Sequence, residues 1–201
     1  MTSADDFGPA ILDAAVALLG SAGRFATVRV LGESMKPTLP PGSLLCVEFD
    51  PKDIARGDLL LFRQANYLAV HRVVGHATRN EERPAWRTRG DNVPAFDPAV
   101  EPSRVVGRVI ALEREGAWRD LRSGSARAYA SLLAIHGFAW TAAAVLADRS
   151  VDRVCRKLRL PVSLRSAVSR LDAGFLRAAD RLFFRLAHAP VPPPDLGAKP
   201  E

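Results

Sequence analysis

Between residues 26 and 118 the apolar residues fall in short runs divided by Gly and Pro, a pattern that restricts this stretch to β structure. Residues 26–31 read as a strand, and Pro40-Pro41-Gly42 as a turn. A second strand covers 44–49. Arg56-Gly57-Asp58 turns into 59–62, a run that is apolar on both faces. Residues 67–74 alternate well enough for a further strand. Residues 76–86 are polar and read as a surface loop ending in Trp86. Residues 104–112 close the set, with Gly107 as a candidate bulge. Short strands at this spacing predict a mainly β domain.

After residue 120 the pattern changes. Residues 128–147 carry no formal charge, and eight of the 20 are Ala. The length allows a membrane span, while the Ala content makes it marginal; a buried or self-associating helix fits as well. Pro161 then breaks the chain. From 162 to 187 an apolar seam runs Leu164, Val168, Leu171, Phe175, Ala178, Leu182, Leu186, in steps of three and four, decorated with Arg165, Arg170, Arg177, Arg181 and Arg185. Such a helix packs on a neighbour or lies on a membrane surface. The reading divides the chain into an N-terminal amphipathic helix (1–25, with Ile11, Leu12, Ala15, Leu18 and Leu19 inward), a β domain (26–118), a helical basic extension (119–189) and a disordered Pro-rich tail (190–201).

Charge follows the same division. Residues 148–201 hold 11 Lys/Arg against six Asp/Glu, whereas residues 1–147 hold 17 against 16. An anionic surface is the natural partner of such a tail, and a solvated helix face is the plain alternative. The 48% apolar content excludes a disordered chain. Cys46 and Cys155 stand far apart without metal-ligand spacing, and Cys46 reads as a buried, inert thiol. No signal peptide is apparent in the acidic start, and the apolar stretch 7–23 is short for a span.

Four segments carry the chemistry. Gly32-Glu33-Ser34-Met35-Lys36-Pro37-Thr38-Leu39 comes first, then Val70-His71-Arg72-Val73-Val74, then Arg89-Gly90-Asp91-Asn92, and last Asp97. A serine hydroxyl is a poor nucleophile until a base within hydrogen-bond reach takes its proton. Histidine as a residue type suits that task near neutral pH. A carboxylate can then hold the imidazole in one tautomer. Ser34, His71 and either Asp91 or Asp97 can supply these roles. Singly, each has a plain explanation: a turn serine, a structural histidine, an Asx turn. His76, His136 and His188 have no such context.

The Gly-x-Ser-Met-x-Pro-Thr-Leu string followed by a His-Arg-Val strand resembles the signal peptidase I clan, whose relatives include self-cleaving repressors of the LexA type. Members with a Lys base carry it where this chain has His71. The endoplasmic-reticulum and archaeal branch has a His there. The resemblance covers roughly 26–115 and implies a Ser-His-Asp endopeptidase with the signal peptidase/LexA-like β fold. It assigns Ser34 as nucleophile and His71 as base. In the His branch the catalytic acid lies six residues after the Asp of Gly-Asp-Asn, which is Asp97 here, leaving Asp91 to brace the loop or serve as alternative acid. The chain departs from that branch in having Val93 after Asn92 and Phe96 before Asp97. Signal peptidases often offer a serine side chain two residues before the nucleophile as an oxyanion donor, where this chain has Gly32. Met35 and Leu39 line the substrate cleft or pack in the core.

The expected function is cleavage of a leader or precursor peptide, with small residues beside the scissile bond, and with no metal or organic cofactor required. The expected location is membrane-associated, through 128–187. The alternatives are a cytosolic processing peptidase for a small peptide precursor and a LexA-like regulator. Only 33 residues precede Ser34, without an obvious helix-turn-helix, and no specific nucleic-acid partner is expected.

Overall fold

The computed structural model describes residues 14, 16–18, 24–64, 66–77, 84–158 (143–158 by backbone alone), 174, 176–181, 184, 186–187 and 190–193. Its centre is one antiparallel sheet. The strands are β1 (Phe25–Arg29), β2 (Leu44–Phe49), β3 (Leu59–Gln64), β4 (Tyr67–His76), β5 (Trp86–Arg89), β6 (Val105–Arg114), β7 (Ala117–Asp120) and β8 (Pro190–Val191). The main order is β1-β2-β6-β3-β4-β5, and β7 joins β6 to β8. A short 3-10 turn, Pro102–Arg104, leads into β6.

Both faces of the β3–β4 region are covered, which is why the leucine run reads apolar on either side. Leu59 and Leu61 enter the larger core with Met35, Leu39, Leu45 and Val47. Leu60 and Phe62 enter a second cluster with Ala69, Val73 and Val100. Side chains alternate across a strand, so neighbours on β4 serve different faces.

β5 and β7 were not read from the sequence, and β5 follows directly on what was read as loop. Gly107 is not itself the bulge. The register slips beside it, leaving Val106 and Ile110 as the extra residues of β6. Gly107 is there for close approach, because a Cβ would meet Val47 Cγ1 at 2.5 Å and the Glu48 carbonyl oxygen at 2.6 Å.

The helix α1 (Gly124–Leu158) is longer than the expected 128–147. The Ser123 Oγ accepts from the Ala126 N–H at 3.3 Å and caps its first turn. Among the described residues no helix is long and apolar enough to cross a membrane, which corrects the reading of 128–147 as a span. Alanine adds little hydropathy, and the helix runs on into the charged residues Asp148 and Arg149. Its buried residues Tyr129 and Leu133 belong to the larger core. Gly57, at φ +98°, lets a turn pass under it, since a Cβ would lie 2.9 Å from the Ala130 carbonyl carbon.

Two helix faces differ from expectation. At the N-terminus Val16 packs on the core while Leu18 is 73% exposed, because residues two apart on a helix point about 200° apart. In the described part of 174–187, Leu176, Asp180, Phe184 and Ala187 turn inward, whereas Ala178 and Leu186 are exposed. The cause is Arg114, which chelates Asp180 through two 2.8 Å bonds and lies 4.6 Å from the centre of the Phe184 ring. Pro190–Val191 pairs with β7, so the tail is ordered there rather than disordered. Residues 162–173 and 194–201, with the expectations that fall on them, lie outside the described residues.

Candidate active site

Ser34 sits in a turn between β1 and β2, His71 in the middle of β4, and Asp97 in the segment between β5 and β6. His71 Nε2 lies 3.0 Å from Ser34 Oγ. His71 Nδ1 lies 2.7 Å from Asp97 Oδ2. The carboxylate accepts from Nδ1–H, which leaves Nε2 as the acceptor for the serine hydroxyl. Thr88 Oγ1 donates to the same Asp97 oxygen at 2.7 Å. The Asp97 N–H also bonds the Thr88 carbonyl oxygen at 3.0 Å, so β5 fixes the carboxylate by side chain and backbone. His71 is buried, with the Phe62 ring against it edge-on at 5.9 Å.

The next residue on β4 points to the other face and does another job. Arg72 holds Asp91 in a fork, Nε to Oδ1 at 2.9 Å and one NH2 to Oδ2 at 2.7 Å. Thr38 Oγ1 donates to Asp91 Oδ2 at 2.8 Å. Asp91 therefore ties the His71 strand to the Ser34 turn and does not reach His71. The Asn92 N–H adds a 2.7 Å bond to the Ser34 carbonyl oxygen, and Asn92 Nδ2 one of 3.3 Å to that of Glu33.

Gly90 lies where these pieces converge. A Cβ there would stand 2.7 Å from the Ser34 carbonyl oxygen and 3.1 Å from His71 Nε2. Backbone cannot yield as a flexible side chain does. Gly90→Ala is expected to cut turnover at least about 100-fold through misplacement of Ser34 against His71. Steady-state kinetics beside far-UV circular dichroism check this; full activity in a folded variant contradicts it.

A family model described as signal peptidase, peptidase S26, matches residues 6–112, more than half of the chain. The chain belongs to that signal peptidase family. It is 38% identical over 73 residues to "Signal peptidase I W" of Bacillus subtilis (strain 168). That stretch is 35% of this chain and 38% of the relative, so the match spans well under half of either. Ser34, His71, Asp91 and Asp97 all fall within the family-matched residues.

In this member of the signal peptidase family, Met35 and Leu39 are 2% and 0% exposed and belong to the core, which corrects their reading as cleft-lining residues. They anchor the Ser34 turn from beneath; the Asp91 N–H approaches Met35 Sδ at 3.4 Å. Gly32 is exposed, with nothing within 4 Å of a Cβ placed on it. His136 stacks on Trp140, and His76 is exposed at the end of β4, so neither joins the site. His188 lies outside the described residues. Cys46 is fully buried, and burial pushes its thiol up. Among the described residues no cluster of His, Cys, Asp and Glu is placed to hold a metal ion.

Thr88, Arg72 and Thr38 were not singled out as site residues from the sequence. Alternation along β4, with Arg72 beside His71, was the available signal for an arginine facing away from His71. Nothing in the sequence marked Thr88.

Burial alone would raise the Asp91 carboxyl, but the Arg72 charge and hydrogen bonds, with Thr38 and the Arg89 charge, hold it below the usual carboxylate range. A carboxyl lowered by folding contributes stability that is complete above its unfolded value, about 3.9, and is lost as pH falls through the lower folded value. Melting curves from pH 7 to pH 3 should therefore show an acid-side loss that is smaller in Asp91→Asn, where only other lowered carboxyls such as Glu48 remain to titrate. Equal acid sensitivity of the two proteins contradicts this.

Proposed function

We propose that this chain is a serine endopeptidase of the signal peptidase type using a Ser34-His71-Asp97 relay, and that its base places it with the His branch of the family. The observation that carries the reading is the unbroken chain of short contacts from Ser34 Oγ through the His71 ring to Asp97 Oδ2. In the proposed reaction His71 Nε2 takes the Ser34 proton as Oγ attacks the scissile carbonyl carbon. Asp97 stabilises the imidazolium and fixes its tautomer. The C–N bond then breaks, His71 returns the proton to the leaving amine, and an acyl group remains on Ser34. Water, deprotonated by His71, releases the acid product. The Ser34 N–H is the assigned oxyanion donor. With glycine at position 32, the second donor is a backbone N–H or water.

Family membership and the name of the Bacillus relative support a leader or precursor peptide as substrate, and the resemblance to the clan implies an extended peptide with small residues beside the scissile bond. Synthetic peptides of that kind, incubated with the purified chain and read by mass spectrometry, test it. Cleavage at one defined bond supports the reading. No cleavage of any such peptide by a protein whose Ser34 reacts with an acylating probe contradicts the substrate and leaves the chemistry standing.

A membrane contact through 128–187 belongs to the same proposal, as a surface contact. On α1 Leu132, Ile135 and Phe138 are exposed to 65%, 51% and 40%. The excess of basic residues after 147 supplies attraction to anionic headgroups. Exposed attraction is screened within about 8–10 Å at ordinary ionic strength, so high salt should release the protein from membranes. Full recovery in the soluble fraction at low salt contradicts the contact, and a need for detergent contradicts its surface character.

A further inference from the structure

Beside Thr38 there is a cavity of about 150 Å3, walled by the turn 56–58, by β6 and by the first turns of α1. One water needs about 10–15 Å3 by the same measure, so the space admits a group of several heavy atoms. Five arginines line it: Arg56, Arg72, Arg108, Arg122 and Arg127. Three of them are already neutralised. Arg72 is held by Asp91, Arg108 by Glu48 with Asp58 at 3.7 Å, and Arg122 by Asp120. Arg56 and Arg127 have no ion-pair partner among the described residues. Two uncompensated guanidinium groups thus share a concave site with the positive end of a helix.

We propose that this cavity binds a phosphate group. Guanidinium groups arriving from separate elements suit an anion with several outward oxygens better than one planar carboxylate, which a single fork satisfies. The shared chemistry is the phosphate; its source is either a soluble phosphate compound or a phospholipid headgroup. Thr38 and Arg72 line the cavity and also hold Asp91, so the bound group would lie behind the brace of the Ser34 turn.

The test uses the full chain and reads binding, so it stands apart from any peptidase activity. Inorganic phosphate is titrated by calorimetry. In parallel, flotation is measured on vesicles of phosphatidic acid in phosphatidylcholine against phosphatidylcholine alone. The double variant R56Q/R127Q is compared with R29Q, an exposed arginine outside both the cavity and the 128–187 segment. Arg56 and Arg127 are exposed, so the double variant should fold, which its melting curve verifies. The expected result is saturable binding in at least one arm, weakened at least about tenfold in R56Q/R127Q and unchanged in R29Q. Binding in the phosphate arm identifies a soluble source, and binding in the vesicle arm alone a headgroup. No saturable binding in either arm overturns the proposal, as does binding that the double variant retains.

Discussion

Replacing His71 by Ala should abolish peptide cleavage, lowering turnover by about 10⁴- to 10⁶-fold while the protein melts as a folded chain. Ser34→Ala should do the same, and the double variant should be little worse than either, because residues acting as one unit do not contribute additively. The motivation is the 3.0 Å contact between Ser34 Oγ and His71 Nε2, the only route for the hydroxyl proton among the described residues. His71→Lys should not restore activity. The Asp97 carboxylate that steadies an imidazole would hold an ammonium in its charged form, and a charged amine takes no proton. Near-wild-type turnover in His71→Ala would show that another group is the base.

The second large effect separates two aspartates six residues apart. Asp97→Asn should lower turnover by about 10⁴-fold with little change in melting temperature, since an amide in that place favours the wrong imidazole tautomer. Asp91→Asn should act first on stability. Its carboxylate faces Arg72 in a pair whose side chains are 5% and 3% exposed. Removing one member of a buried pair leaves the other charge uncompensated, at a cost of about 3–5 kcal/mol. Any loss of turnover in Asp91→Asn should shrink under conditions that keep the variant folded, whereas that of Asp97→Asn should not. Interchanged phenotypes would reverse the two roles.

The strands were legible where hydrophobic alternation was strong. The run 44–49 matches β2, and 67–74 lies inside β4, because both fill positions that face a core. β5 was not legible: Trp86-Arg87-Thr88-Arg89 is polar in composition, and its inward residues Thr88 and Arg89 are buried for their hydrogen bonds. That same strand supplies the hydroxyl on Asp97. The inward face of 174–187 was misread because apolar spacing assumes that burial follows hydrophobicity, and here a buried aspartate paired to Arg114 sets the rotation. Met35 and Leu39 show the reverse limit, since an apolar residue beside a nucleophile can belong to the cleft or to the core and spacing does not separate them. The four candidate residues were picked through a motif string; the bonds that distinguish Asp91 from Asp97 required the register of β4 against β5, which no local pattern contains.

The most direct measurement of the central claim is to treat the purified full-length chain with a fluorophosphonate and locate the adduct by peptide mass spectrometry. The proposed relay predicts one adduct, on Ser34, formed at a rate that His71→Ala reduces by orders of magnitude and that Asp91→Asn leaves largely intact in the folded protein. An unmodified Ser34, or an adduct on Ser34 that forms as fast in His71→Ala as in the native chain, would contradict it.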